Sequence, residues 1–282
     1  MNRKILLISS VIAVVVILGS VFFFHGTSGT DSTHNLDDVQ ESFTLVLVKN
    51  HLVLKGCISP PGKPTCDKMK LPPISPPIRT MGSGAVIAHG VNTTYVITAG
   101  HVCTFDVPTQ NVSNGYTFFV EPKVEIKVVD YWGKSHATTV VAQDHENDIC
   151  ILRSRGIWST PLPIAAKMPK VGERVTTIAA PRGIFHPRMV LQFDGRYVGI
   201  DDHGHTFFTT PTAPGSSGSV ILNSNGEVVS VIHSAMRRFE NVGIGSQLGD
   251  VLELIRLNVS SVPALSQMRG TGGYLGAFPS LP

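Results

Sequence analysis

Eleven short runs rich in β-branched and aromatic residues, spaced by Gly, Asn, Asp and Pro, recur between residues 43 and 234, and they constrain the fold more than any other feature. They are FTLVLV (43–48), GAVIA (84–88), TYVITA (94–99), YTFFV (116–120), VEIKVVDYW (124–132), ICIL (149–152), RVTTIAA (174–180), RYVGI (196–200), TFFTT (206–210), SVIL (219–222) and EVVSVIHS (227–234). Many short strands with turn signals between them predict antiparallel barrels or sandwiches. The stretch 155–170 has no such alternation and reads as a link between two barrels. Helical spacing occurs once in this body, with Leu248, Val251, Leu252 and Ile255 at i, i+3, i+4 and i+7. The expectation is an all-β body with one C-terminal helix.

Composition excludes several other classes. With 27 Gly, 19 Pro and 15% charged residues, the chain does not suit a coiled coil or helical bundle. Its 42% hydrophobic content is too high for a disordered chain. Lys and Arg number 23 against 20 Asp and Glu, a formal charge of +3 with no basic stripe, so no nucleic-acid partner is expected.

Residues 5–24 carry no charge. As a helix they would span roughly 30 Å, the thickness of a bilayer's hydrocarbon core. A cleavable signal has a shorter apolar core of about 7–15 residues, and here three Phe and a His end the run instead of a small-x-small site. Arg3 and Lys4 precede it, while Asp31, Asp37, Asp38 and Glu41 follow. The expectation is therefore a single-pass anchor over 1–24, with the N-terminus cytoplasmic and the body extracytoplasmic. A secreted body released by signal cleavage is the alternative. A polar linker covers 25–40, and the Gly/Ser/Pro-rich stretch 259–282 reads as a flexible tail. Cys57 and Cys66 flank a Pro-rich stretch and suit a short disulfide-closed loop. Cys103 and Cys150 either pair or serve as small buried apolar residues.

Three motifs carry chemistry. Thr98-Ala99-Gly100-His101 follows an apolar strand, Asn147-Asp148 heads the strand ICIL, and Pro214-Gly215-Ser216-Ser217-Gly218-Ser219 is a Gly-bracketed turn. A serine hydroxyl is a weak nucleophile until a base stands within hydrogen-bond reach. An imidazole, titrating near ~6.5, can take that proton and return it to a leaving amine. A carboxylate such as Asp148 holds the ring in the useful tautomer. Gly215 lets the chain turn so that the amides of Gly215, Ser216 and Ser217 face a developing oxyanion, each donor contributing about 3 kcal/mol. Asp144 competes with Asp148 for the acid, and Ser216 or Ser219 with Ser217 for the nucleophile. Asp148 is preferred because it abuts the apolar strand. No metal or organic cofactor is required. Asp201-Asp202-His203-Gly204-His205 holds metal-ligating residue types but reads better as a hairpin turn.

In that order the motifs resemble the His…Asp…Ser arrangement of chymotrypsin-like serine peptidases over about residues 42–258. The HtrA-type branch is nearest, with Gly82-Ser83-Gly84-Ala85-Val86-Ile87 before the histidine, Pro-Gly before the serine turn, and Gly-Ile-Gly (243–245) before the last helix. The resemblance implies two antiparallel six-stranded β-barrels. The first covers 41–155 with His101 and Asp148; the second, with the helix, covers 156–258 with Ser217, the serine of the family's G-x-S-G. The residues after the helix are too few for the PDZ domain that HtrA proteins usually carry. Ser216 replaces the acid that secreted zymogens use to bind a new N-terminus, so the enzyme is expected to be competent as made. Thr212, five residues before Ser217, and the string Ile232-His233-Ser234-Ala235 resemble the specificity pocket of picornavirus-like and potyvirus-like main proteases and of glutamyl endopeptidases. That likeness implies Thr212 and His233 binding a Gln or Glu side chain, and Ser234, Ala235 and Met236 pairing with the substrate backbone. The expected function is a membrane-anchored serine endopeptidase acting on protein or peptide substrates. The alternative is a catalytically silent protease fold acting as a membrane-tethered peptide- or partner-binding module. Nothing in the sequence specifies an oligomeric state.

Overall fold

A computed structural model describes residues 36–65, 77–104, 110–113, 115–236, 239 and 241–259. The run at 5–24, Cys66, Arg237, Arg238 and the tail from residue 260 lie outside the described residues. Among the described residues, no helix is long and apolar enough to cross a membrane.

The first seven strands are β1 (Phe43–Ile58), β2 (Ile78–Gly90), β3 (Thr93–Ala99), β4 (Gln110–Ser113), β5 (Tyr116–Asp130), β6 (Ser135–Asp144) and β7 (Ile149–Ser154). They run β1-β2-β3-β7-β6-β5, all antiparallel, and β1 pairs again with β5 to close a six-stranded barrel. β4 adds to the outer edge of β5. The second set is β8 (Arg174–Ala179), β9 (Phe185–His186), β10 (Met189–Ile200), β11 (Thr206–Phe208), β12 (Val220–Leu222), β13 (Val228–Ala235) and β14 (Gly243–Gly245). Its order β11-β14-β13-β12-β8-β10 closes through β10–β11, with β9 attached to β10. Closure leaves neither barrel an open sheet edge along its wall. Among the described residues the α-helices are α1 (Leu36–Glu41), α2 (Gly100–Cys103) and α3 (Leu248–Asn258). Leu248, Val251 and Ile255 of the predicted stripe are buried in α3, and Leu252 is half-buried against the same core.

The strand-by-strand reading needs corrections. The runs at 116–120 and 124–132 are one strand, β5, which passes straight through Pro122. There β5 pairs with β1 alone, through Leu52 opposite Pro122. No ladder is lost on the other edge, which is where a strand tolerates proline. β6 was not expected at all, because SHATTVVAQD buries only His136 fully and shows little apolar alternation. β10 begins at Met189, seven residues ahead of the expected RYVGI.

Candidate active site

α2 and the head of β7 are joined before any side-chain chemistry is considered. β3 pairs with β7 so that Ala99 faces Ile149, which brings the next residue of one strand beside the previous residue of the other. The Gly100 N–H donates to the Asp148 carbonyl at 2.9 Å. A Cβ at position 100 would stand 2.8 Å from Asp148 Oδ1, so only glycine fits. Cys103 and Cys150, two residues beyond His101 and Asp148, are bonded as a disulfide. This settles the choice left open by sequence in favour of pairing, although both cysteines are also buried. Cys57 is disulfide-bonded as well.

Within this frame Asp148 grips His101 with both oxygens. Oδ1 accepts the His101 backbone N–H at 2.6 Å, and Oδ2 lies 2.7 Å from Nδ1 of the ring. Burial pushes the Asp148 carboxyl up, but the hydrogen bonds from the His101 ring and amide outweigh it, helped by the nearby imidazoles. The net result lies below the ordinary carboxylate value. Gln143 adds a brace by donating to the Gly100 carbonyl at 2.9 Å and to the Thr104 hydroxyl. Asp144 plays a different part. Its oxygens accept from the amides of Glu146 and Asn147 and from the Asn147 side chain, which caps the turn.

The serine turn comes from the other barrel and is fitted against this pair. The Ser83 N–H donates to the Ser217 carbonyl at 2.7 Å, and Gly218 N–H to the Ile232 carbonyl at 2.6 Å. Gly218 has φ +88°, and a Cβ there would lie 2.1 Å from both the Ser83 carbonyl and Thr98 Oγ1 and 2.9 Å from the Ala99 nitrogen. That close approach sets Ser217 against the strand that leads into His101. Of the three serines, Ser216 and Ser219 are buried to 1% exposure, and Ser216 Oγ accepts from the Ala213 amide. Ser217 is only half-buried.

One expected oxyanion donor is corrected. The Ser216 N–H closes the turn onto the Ala213 carbonyl at 2.8 Å, as the fourth residue of a β-turn does, and so points away from the cleft. Among the described residues, the Gly215 and Ser217 amides have no partner. The Gly215 amide is aimed by its own peptide plane. The Pro214 carbonyl accepts the Arg182 N–H at 2.6 Å, so the N–H across that trans peptide points the opposite way.

Sequence reading gave Ser83 no role, although it is fully buried between the barrels. Its hydroxyl donates to the Gly215 carbonyl at 2.8 Å and accepts the Ala180 N–H at 3.0 Å. A small polar residue inside an apolar strand run was the available signal.

The predicted pocket residues are placed as follows. Thr212 is buried, donates to the Thr210 carbonyl at 3.1 Å and packs against Gly243. Ser234 and Ala235 pair with Ile244 and Gly243 of β14. His233 sits at the register break between Ile232 and Ser234, with Nδ1 3.9 Å from Asp148 Oδ2. The 201–205 segment is a turn: Asp201 Oδ1 accepts the amides of His203 and His205, and the Asp201 N–H reaches the His205 carbonyl at 3.0 Å. Among the described residues, no group of three or more His, Cys, Asp or Glu is arranged to hold a metal ion.

Comparison with known proteins follows the same lines. The family described as "Trypsin-like peptidase domain" matches residues 82–231. No curated protein matches the chain in sequence. Among solved structures, the active form of the Rv3671c protease from M. tuberculosis aligns with TM-score 0.52 and 18% identity, over 81% of this chain and 86% of that one. The serine endoprotease from Yersinia pestis aligns with TM-score 0.53 and 17% identity, over 82% of this chain and 67% of that one. At such identities the likeness is one of fold.

Proposed function

Because the chain belongs to the trypsin-like peptidase domain family, and is thus a serine endopeptidase, we propose that Ser217, His101 and Asp148 are its catalytic triad. Ser217 Oγ attacks the carbonyl carbon of the scissile peptide while His101 takes the hydroxyl proton. The amides of Gly215 and Ser217 receive the oxyanion. His101 then gives the proton to the leaving amine, and water repeats the sequence on the acyl-enzyme. The observation that carries this reading is the two-point hold of Asp148 on His101, at 2.6 and 2.7 Å, with the Gly218 turn packed against the strand before it.

The substrate enters as an added strand along Ser234 to Met236, whose partner on the other side is β14. Thr212 and His233 favour Gln or Glu before the cleaved bond. The single Thr212 proton is given to Thr210, so its oxygen offers lone pairs, which suit the N–H₂ of Gln better than the carboxylate of Glu. Residues 5–24 anchor the body to the extracytoplasmic side of a membrane, following Arg3 and Lys4 on the cytoplasmic side.

A fluorophosphonate probe on the full chain tests the chemistry. Labelling of wild type and none of Ser217→Ala is expected, and equal labelling of both would sink the assignment. A peptide library then reads the pocket, where a preference for small or aliphatic residues before the cleaved bond would remove the Gln/Glu reading.

A further inference from the structure

One oxygen of Asp148 faces two imidazoles. His101 Nδ1 is 2.7 Å from Oδ2, and His233 Nδ1 is 3.9 Å from that same atom. The longer distance exceeds a hydrogen bond. His101 therefore holds Oδ2 while His233 stands beside it. We propose that His233 is a positioning residue that competes with His101 for Asp148: neutral, it leaves the carboxylate to the base; protonated, it draws Oδ2 to itself and disables the pair. This rests on the triad proposed above, and it makes acid inactivation a two-proton event.

The placement of the ring is built in. The irregular pairing of β13 with β14 between Ile232 and Ser234 re-aims the intervening side chain, as strand irregularities do. The facing loop is pinned, because Ser246 Oγ donates to the Asn147 carbonyl at 2.8 Å, next to Asp148 in the chain. The His233 side chain is only 13% exposed and cannot swing freely into water.

Every group that acts on this ring has a known sign. Burial holds it neutral, opposed by the Asp148 charge from the head of β7. His205, before β11, with ring centroids 6.0 Å apart, and His101 from α2 both disfavour a second positive charge, while a hydrogen bond to the Gly245 backbone of β14 favours it. His205 itself stands 3.2 Å from Asp201 Oδ2. The balance lies below the ordinary imidazole value, so the neutral ring prevails near neutrality and the proton arrives only on the acid side. Once charged, His233 is an opposite charge beside Asp148 and no longer a spectator.

The test is the pH dependence of kcat/KM for the full chain from about pH 4.5 to 8, each profile scaled to its own plateau. Peptides with Gln, Glu or Leu before the cleaved bond would be compared. In wild type the acid limb should steepen from a slope of about one to about two on logarithmic axes, whichever peptide is used, and His233→Gln should restore a slope of about one throughout. His233→Asn serves if the Gln variant does not fold. A single-slope limb in wild type overturns the proposal, as does a two-step limb that survives in the variant. A variant that changes only the preference among the three peptides would leave the ring its pocket role alone and overturn the competition. Failure of the triad reading is separate and visible, because Ser217→Ala would then keep its activity.

Discussion

Asp148 occupies the left-handed region with φ 53°, a conformation that Asp tolerates better than most residues. That turn lets one residue present its carbonyl to Gly100 and its carboxylate to His101. Asp148→Asn keeps the shape but removes the acceptor that selects the ring tautomer, so kcat should fall by about 10⁴-fold with little change in KM. Because its pKa is lowered in the fold, the stability Asp148 contributes is complete above its unfolded value, about 3.9, and is lost as pH falls through the lower folded value. An unfolding titration in acid, run beside the activity profile, would read this contribution separately from catalysis. Much of this was legible. An acid at the head of an apolar strand was preferred over Asp144, and the structure gives Asp144 to the turn and Asp148 to His101. The approach of His233 to Asp148 was not legible, since a period-two reading of a strand cannot see a register break.

Among the elements, strands rich in apolar residues were found and polar ones were not. β7 buries Ile149 through Leu152 completely, and its sequence announces it. β6 buries only His136 fully and leaves its other side chains half-buried or exposed without apolar alternation, so its residues read as a loop even though its backbone completes the barrel between β5 and β7. Hydrogen bonding around a closed wall fixes such a strand, and hydrophobic patterning does not record it. The Cys103–Cys150 bridge joins α2 to β7 across a separation of 47 residues. Replacing both cysteines by alanine should lower stability by about 2–5 kcal/mol, read by urea denaturation. An unchanged midpoint would mean that the β3–β7 pairing alone holds these elements.

At the scale of the whole molecule, two barrels meet along a polar seam through Ser83. Its hydroxyl connects β2 to Gly215 and to Ala180 of the second barrel. Ser83→Ala leaves those two backbone groups unpaired in a buried place, at a cost of about 1–3 kcal/mol. It should also lower kcat by about 10-fold or more through a loosened oxyanion site, within the ~10²–10³ limit for losing a donor outright. Paired melting and kinetic measurements would check both, and a stable variant with unchanged kcat would remove Ser83 from the seam. The strand runs pointed to barrels or sandwiches and the motif resemblance to two barrels, whereas the seam depends on contacts between distant segments that no local pattern encodes. The split assembly also governs timing. His101 and Asp148 belong to the half made first and Ser217 to the half made last, and the turn bearing Ser217 is held by Ser83 and Ile232 from both halves. On the triad proposed above, a ribosome-bound chain gains its three groups as a set only when its final third has emerged and docked, which delays self-digestion during synthesis.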